Sequence, residues 1–81
     1  MNKKEQAEKF IKRFGIKAAK QRQKDKPDLH MERLLESFHF VFDCWGGIAE
    51  ARKSAEYHKK IGNNYVSQRM FFEINSVEKC L

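Results

Sequence analysis

The sequence has few of the residues that interrupt helices and few that could cross-link a small fold. Its 81 residues include one proline, four glycines and two cysteines. So few turn-forming residues exclude a fold of many short strands and favour long helices. Two cysteines cannot build a disulfide scaffold, and the charged N-terminus resembles no signal peptide, so we expect a cytoplasmic protein. The longest strongly apolar run is far shorter than the ~20 residues that cross a bilayer, so no membrane partner is expected.

No catalytic, cofactor or metal motif of any strength occurs in the chain. His39 and Asp43, four residues apart, predict a hydrogen-bonded pair on one flank of a helix. Adding Cys44 suggests a metal or nucleophilic site, but the spacing matches no zinc pattern. We therefore predict a satisfied or surface His–Asp pair and interpret Cys44 and Cys80 as small buried or half-buried hydrophobes. No metal, no cofactor and no enzymatic activity are expected.

What the chain has in excess is positive charge in one segment. Residues 1–26 contain ten lysines and arginines against three acids, a net charge of +7, whereas residues 27–81 have a net charge of −1. We therefore expect one small domain, residues 1–81, in which a cationic amphipathic helix within residues 1–26 joins a near-neutral helical body, residues 27–81. Such asymmetry is typical of a protein that contacts a polyanion.

The cationic segment predicts a helix from about residue 2 to residue 24. Five residues follow helical spacing and define one apolar face: Ala7, Phe10, Ile11, Phe14 and Ala18. Lysines and arginines occupy much of the remaining circumference. Gly15 weakens this helix by about 1 kcal/mol relative to alanine and is the point at which it could divide in two.

The helical body has its strongest periodicity in one stretch. Seven apolar residues there recur with helical spacing: Met31, Leu34, Leu35, Phe38, Val41, Phe42 and Trp45. This stripe predicts the main core helix. We expect Asp25 to cap it, with Pro27 in its first turn. The pair Gly46–Gly47 should end or kink it.

Two further segments complete the predicted fold. A thinner apolar stripe comprises Ile48, Ala51, Ala55 and Ile61. Asn64 should then cap a last helix whose apolar residues are Val66, Met70, Ile74, Val77 and Leu81. A strand over residues 66–74 is the alternative, because alternate residues there are also mostly apolar. The expected fold class is all-α, a small bundle of three or four helices. Phe40, Phe71 and Phe72 lie off the stripes and favour a second core-facing edge or a dimer interface, with stacking on unpaired bases or a protein contact as the alternative. The stretch MFFEI, residues 70–74, makes a homodimer or partner contact expected.

The repetition of like charge is the feature that most calls for a partner. Arg13 lies four residues from both Lys9 and Lys17, and each such pair costs an isolated helix about a few tenths of a kcal/mol. Phosphates along a nucleic acid would turn this repulsion into attraction and release counterions. The candidate residues for binding nucleic acid or an acidic partner are Lys9, Lys12, Arg13, Lys17, Lys20, Arg22 and Lys24. A solvated face that only improves solubility is the alternative.

Three short patterns suggest other activities. The stretch KRFGIKAAKQRQ, residues 12–23, resembles the turn and recognition helix of a helix-turn-helix, which implies binding to duplex DNA. A basic amphipathic helix is also typical of peptides that lie on anionic membranes. Arg52 and His58, in RKSAEYH, are similar to the Arg…His motif of the all-α HEPN ribonucleases, which implies RNA cleavage at a dimer interface.

From these patterns we expect a small regulatory protein, without enzymatic activity, that contacts the backbone of RNA or DNA through its cationic N-terminal helix. RNA is favoured over duplex DNA. The alternative is a protein antagonist or adaptor that docks the same helix on an acidic surface of a host protein or ribonucleoprotein. Small chains that lack motifs and are rich in lysine and asparagine are common among phage and mobile-element accessory proteins, so that class of protein is expected.

Overall fold

The structure, a computed structural model, describes residues 2–81. Over that range the chain is all-helical and contains no strand, which confirms the predicted fold class. The predicted count of three or four helices is too low. The elements are α1 (Lys3–Phe14), α2 (Ile16–Asp25), α3 (Leu29–Phe38), a π-helix (His39–Cys44), α4 (Ile48–Lys60) and α5 (Asn64–Glu78).

The cationic segment forms two helices, divided at Gly15. This glycine has φ of +90°, a conformation that residues with a Cβ atom rarely adopt. α1 begins after Asn2, whose side chain accepts a hydrogen bond from the Glu5 backbone N–H at 2.8 Å. Arg22, near the end of α2, lines the same cleft as Lys3 at the start of α1. The two helices therefore lie antiparallel, and we call them the α1–α2 hairpin.

α3 begins later than the sequence predicts. Its N-cap is Asp28, whose carboxylate accepts a hydrogen bond from the His30 backbone N–H at 2.7 Å. That bond holds the pKa of the Asp28 carboxyl below its usual range. Asp25, the predicted cap, is instead the last residue of α2, and Pro27 lies outside both helices. The reason is local: a residue before proline disfavours the helical conformation, and Lys26 is accordingly extended with φ of −143°.

α3 connects the two halves of the molecule. It contacts α1, α2 and α5, whereas no Cα atom of α1 or α2 lies within 8 Å of one in α4 or α5. α4 and α5 pack against each other and form the α4–α5 hairpin. Buried side chains from all these parts share one core, which includes Ile11, Ala19, Leu34, Val41, Ile74 and Val77. The chain is therefore built from two hairpins joined through α3.

The last segment is a helix, so the strand alternative is wrong. α5 starts one residue after Asn63, which occupies the cap position predicted for Asn64. Met70, Ile74 and Val77 are buried, as the apolar stripe predicts. None of the helices formed by residues 2–81 has the length and apolar character that crossing a membrane requires.

The core stripe does not continue as a single α-helix. After Phe38 the backbone widens into the π-helix, in which the Trp45 N–H donates to the Phe40 carbonyl five residues earlier at 2.9 Å. The wider turn keeps Val41 fully buried but leaves Phe42 43% exposed. The predicted stripe is therefore right as far as Val41 and wrong for Phe42.

Candidate nucleic-acid interface

The seven predicted binding cations lie on both helices of the α1–α2 hairpin. α1 contains Lys9, Lys12 and Arg13, and α2 contains Lys17, Lys20, Arg22 and Lys24. All seven residues are exposed. Within residues 2–81, none of them has a carboxylate oxygen within 4.0 Å of its charged nitrogen atoms. The hairpin thus presents accessible cations that no acid neutralises at close range.

Two of the cations on α1 lie in mixed electrostatic surroundings. Lys9 and Lys12 line a shallow cleft together with the acids Glu5 and Glu8 and with Lys79, which follows α5. The two carboxylates reduce the positive potential in this cleft, although neither forms a close ion pair there. Lys9 and Lys12 are therefore the weaker candidates for phosphate contact.

The cations on α2 face different neighbours. Arg22 faces α1, while Lys20 borders the cleft between α2 and α3. Lys17 and Lys24 are seven residues apart, so they share one exposed stripe of the helix. The seven cations do not form one continuous face, because Gly15 divides the helix on which the sequence placed them.

The hairpin brings two arginines together around two aromatic rings. The guanidinium carbon of Arg22 lies 4.7 Å from the centroid of the Phe10 ring. The Phe10 and Phe14 ring centroids are 4.9 Å apart. The guanidinium carbon of Arg13 lies 5.3 Å from the Phe14 centroid. We call these four residues the aromatic–arginine cluster. Each cation–π contact contributes about 0.5–1 kcal/mol at an exposed site, which favours this arrangement of the arginines.

Phe14 is the solvent-facing member of the cluster. It is 56% exposed, whereas Phe10 is half-buried. The sequence places both rings on one apolar face of a single helix, and this face is not buried at Phe14. As the last residue of α1, Phe14 precedes the change of chain direction at Gly15. The adjacent pair Arg13–Phe14 at a glycine-terminated helix end is the sequence signal that would have indicated this exposed ring.

The predicted His39–Asp43 pair is present, and its neighbour Cys44 is exposed. The Nδ1 atom of His39 lies 3.0 Å from an Asp43 carboxylate oxygen. The interpretation of Cys44 as a buried or half-buried hydrophobe is wrong, whereas Cys80 is buried as expected. Burial, and secondarily the charge of Glu8, raises the pKa of the Cys80 thiol to about 11. Among residues 2–81, no three His, Cys, Asp or Glu side chains are grouped to hold a metal ion.

The two residues of the Arg…His motif do not form a joint site within one chain. The Arg52 guanidinium donates to the Glu78 carboxylate of α5 at 2.8 Å. The His58 ring lies edge-on to Tyr57, and its Nδ1 atom is buried with no hydrogen-bond partner in the described part of the chain. A separation of six residues places Arg52 and His58 on different faces of α4.

The three phenylalanines that lie off the predicted stripes differ in their surroundings. Phe40 is stacked on Trp45 with ring centroids 5.7 Å apart, and the Arg69 guanidinium lies 5.8 Å from its centroid. Phe71 is half-buried against the core, whereas Phe72 is 50% exposed. A homodimer or partner contact at this surface stays a prediction.

The chain matches no protein-family model, no curated protein and no solved structure. The candidate site is accordingly defined by its own geometry. In the α1–α2 hairpin, two arginines that form no ion pair within the described part of the chain contact aromatic rings, and one of these rings is open to solvent.

Proposed function

We propose that the protein is a small regulatory protein that binds single-stranded RNA through the α1–α2 hairpin. The observation that carries this proposal is the exposed Phe14 ring with Arg13 against it, continued through Phe10 to Arg22. Aromatic rings and guanidinium planes are the groups on which unpaired bases stack. The same guanidinium groups can bind phosphate through paired N–H donors.

The remaining cations of α2 supply the backbone contacts in this proposal. Lys17 and Lys24 are exposed and have no close acid among residues 2–81, so a phosphate can approach either one. Bound phosphates would also relieve the repulsion between like charges along the helices and release counterions from the RNA. The expected footprint is one or two bases at Phe14 with phosphates on either side.

Single-stranded RNA fits the hairpin better than duplex DNA does. A helix-turn-helix joins its two helices by a turn of about three or four residues and crosses them at about 90–120°. Here one residue, Gly15, separates α1 from α2, and the helices lie antiparallel. Moreover, the faces of bases in a duplex are stacked on each other and are not available to a ring such as Phe14.

A stacking role for Phe14 is testable with matched variants. Fluorescence anisotropy would measure the affinity of a fluorescein-labelled oligouridylate of about 12 nucleotides, a length within the site sizes of single-strand binders. Phe14→Ala should weaken binding about 5- to 150-fold, because stacking contributes about 1–3 kcal/mol per base. Phe14→Trp should retain binding. Phe72→Ala is the control, since Phe72 is 50% exposed but lies on α5.

Three results would contradict the proposal. The first is the absence of RNA binding by the wild type at low salt. The second is an equal loss of affinity in Phe14→Ala and Phe72→Ala. The third is a stoichiometric acidic protein that the wild type captures and Arg13→Glu does not, while affinity for RNA stays negligible in both. That last result would support the adaptor alternative.

A further inference from the structure

Three side chains of the π-helix form a hydrogen-bonded chain that takes no part in the proposed binding of RNA. His39 Nδ1 lies 3.0 Å from Asp43 Oδ2, and Cys44 Sγ lies 3.6 Å from His39 Nε2. All three residues are exposed. A thiol, an imidazole and a carboxylate in this order are the components of an activated cysteine nucleophile.

The π-helix is what brings both neighbours to His39. In an α-helix, at about 100° per residue, a residue five positions on lies roughly 140° away around the axis. Cys44 would then point away from His39. In a π-helix the hydrogen bonds span five residues, so the positions four and five residues on flank the starting residue. Asp43 and Cys44 occupy those two positions.

The two hydrogen bonds of His39 are compatible with one tautomer of the neutral ring. If the Nδ1–H group donates to the Asp43 carboxylate, Nε2 carries the lone pair and accepts from the Cys44 thiol. A ring nitrogen held in this state can take the thiol proton, and the carboxylate then stabilises the imidazolium that forms.

We propose that Cys44 is a nucleophilic thiol that exchanges with anionic low-molecular-weight disulfides. The thiol proton passes from Sγ to His39 Nε2, and the thiolate attacks one sulfur of the disulfide. A new S–S bond forms to Cys44 as the original S–S bond breaks. The departing thiolate takes the proton from Nε2 and leaves as a thiol, so Cys44 is oxidised and the second sulfur is reduced.

The preference for an anionic disulfide rests on the adjoining cleft. Lys20 of α2 lines the same cleft as His39 and Asp43, together with apolar side chains that include Phe42. A disulfide that bears carboxylates, such as glutathione disulfide, could place one of them near the Lys20 ammonium group. The exchange reaction also needs a thiolate that the disulfide can reach and a proton donor for the leaving thiolate. The exposed Cys44 supplies the thiolate, and His39 supplies the proton.

Cys80 provides an internal control in the same chain. It is 2% exposed, its thiol donates to the Ser76 carbonyl at 3.4 Å, and burial raises the pKa of the thiol to about 11. A buried, protonated thiol is a poor nucleophile. Glutathione disulfide should therefore modify Cys44 and leave Cys80 unmodified while the protein is folded.

The test incubates the reduced full chain with glutathione disulfide at neutral pH and follows adduct formation by mass spectrometry with peptide mapping. His39→Gln should slow modification of Cys44 by about fivefold or more, and Asp43→Asn should slow it by a smaller factor. His30→Gln, which removes another exposed histidine, should not change the rate.

Equal rates in the wild type and His39→Gln would overturn the assignment of His39 as the base. An adduct on Cys80 in place of Cys44 would overturn the site itself. Circular dichroism spectra of each variant establish that it is folded, and all the replaced residues are exposed. A Lys20→Gln variant that reacts with glutathione disulfide as fast as the wild type would contradict the preference for anionic disulfides.

Discussion

The two hairpins differ in whether their charged side chains form ion pairs. In the α4–α5 hairpin, Arg52 pairs with Glu78 at 2.8 Å, and further pairs join Lys53 to Glu50 and Arg69 to Glu73. In the α1–α2 hairpin, no lysine or arginine of the described residues has an acid within 4.0 Å. The α4–α5 hairpin uses part of its charge in internal ion pairs, whereas the α1–α2 hairpin leaves its charge available to a partner.

Both hairpins pack against the body in the same manner. The α1–α2 hairpin buries Ile11 and Ala19 in the common core, and the α4–α5 hairpin buries Ile74 and Val77 there. Burial of such side chains is what stabilises each hairpin on the body. The cations of the α1–α2 hairpin lie outside this shared core, so the difference between the hairpins is in their surface charge and not in how they pack.

The largest expected effect tests the shared part of this comparison. Ile74→Ala and Ile11→Ala should each lower the free energy of unfolding by about 2–5 kcal/mol, because both side chains are buried in the core. Urea unfolding followed by circular dichroism measures it. Ile61→Ala is the control, since Ile61 is 56% exposed. If Ile11→Ala is no more costly than Ile61→Ala, the α1–α2 hairpin does not dock as described.

A smaller loss is expected at the one buried acid of the α4–α5 hairpin. Glu73 is 5% exposed, accepts a hydrogen bond from the Ser37 hydroxyl and lies 3.5 Å from Arg69 Nε. Glu73→Ala should lower the free energy of unfolding by about 1–3 kcal/mol, because it removes the charged acceptor of the buried Ser37 hydroxyl. Glu50→Ala, at an exposed pair, should cost less than about 1 kcal/mol. Equal losses in the two variants would show that burial of Glu73 has no energetic consequence.

Removal of a single cation should affect stability differently in the two hairpins. Arg52→Ala breaks the pair with Glu78 and should lower the free energy of unfolding by up to about 1 kcal/mol. Lys17→Ala should leave it unchanged or raise it by about a few tenths of a kcal/mol, because repulsion within the hairpin decreases. Thermal melts at low salt measure both. A loss in Lys17→Ala equal to that in Arg52→Ala would contradict the distinction.

The smallest expected effect concerns the pH dependence of the junction between the α1–α2 hairpin and α3. Gln23 and Asp28 exchange two hydrogen bonds of 3.1 Å across it, and the bond from His30 lowers the pKa of Asp28. A lowered pKa contributes stability above the ordinary value of 3.8, and this stability is lost as pH falls through the value in the folded protein. Asp28→Asn keeps an acceptor that does not titrate. Its melting temperature should therefore fall less than that of the wild type between about pH 4 and pH 2.

The helices were predictable because their apolar residues recur with one period. Met31, Leu34, Ile74 and Val77 are buried as that period requires. The sequence showed where the N-terminal helix could divide, at Gly15, but not whether it does. The division depends on the burial of residues from both helices against α3. Such burial is a tertiary effect that outweighs local helix propensity.

Two features of the candidate sites were not predictable from the period. The π-helix breaks the assumed 100° per residue, so Phe42 was assigned to the wrong environment, whereas the burial expected for Cys44 rested on its residue type alone. The contact of Arg22 with Phe10 requires the chain to reverse at Gly15. The sequence therefore identified the cations but not the rings that accompany them.

The most direct test of the account is to reverse charge in each hairpin separately. One variant replaces Arg13, Lys17 and Lys20 by Glu. The matched variant replaces the α4 residues Lys53, Lys59 and Lys60 by Glu. Each set of changes lowers the formal net charge from +6 to zero, so the two proteins differ only in where the charge lies. The affinity of both for single-stranded RNA is measured by anisotropy at one salt concentration.

The α1–α2 variant should lose affinity on the order of 100-fold, since each charge pair contributes roughly 1 kcal/mol in water. The α4 variant should remain within about threefold of the wild type, because its cations lie outside the proposed contact. An equal loss in both variants would show that only the net charge matters, and it would contradict the assignment of RNA binding to the α1–α2 hairpin.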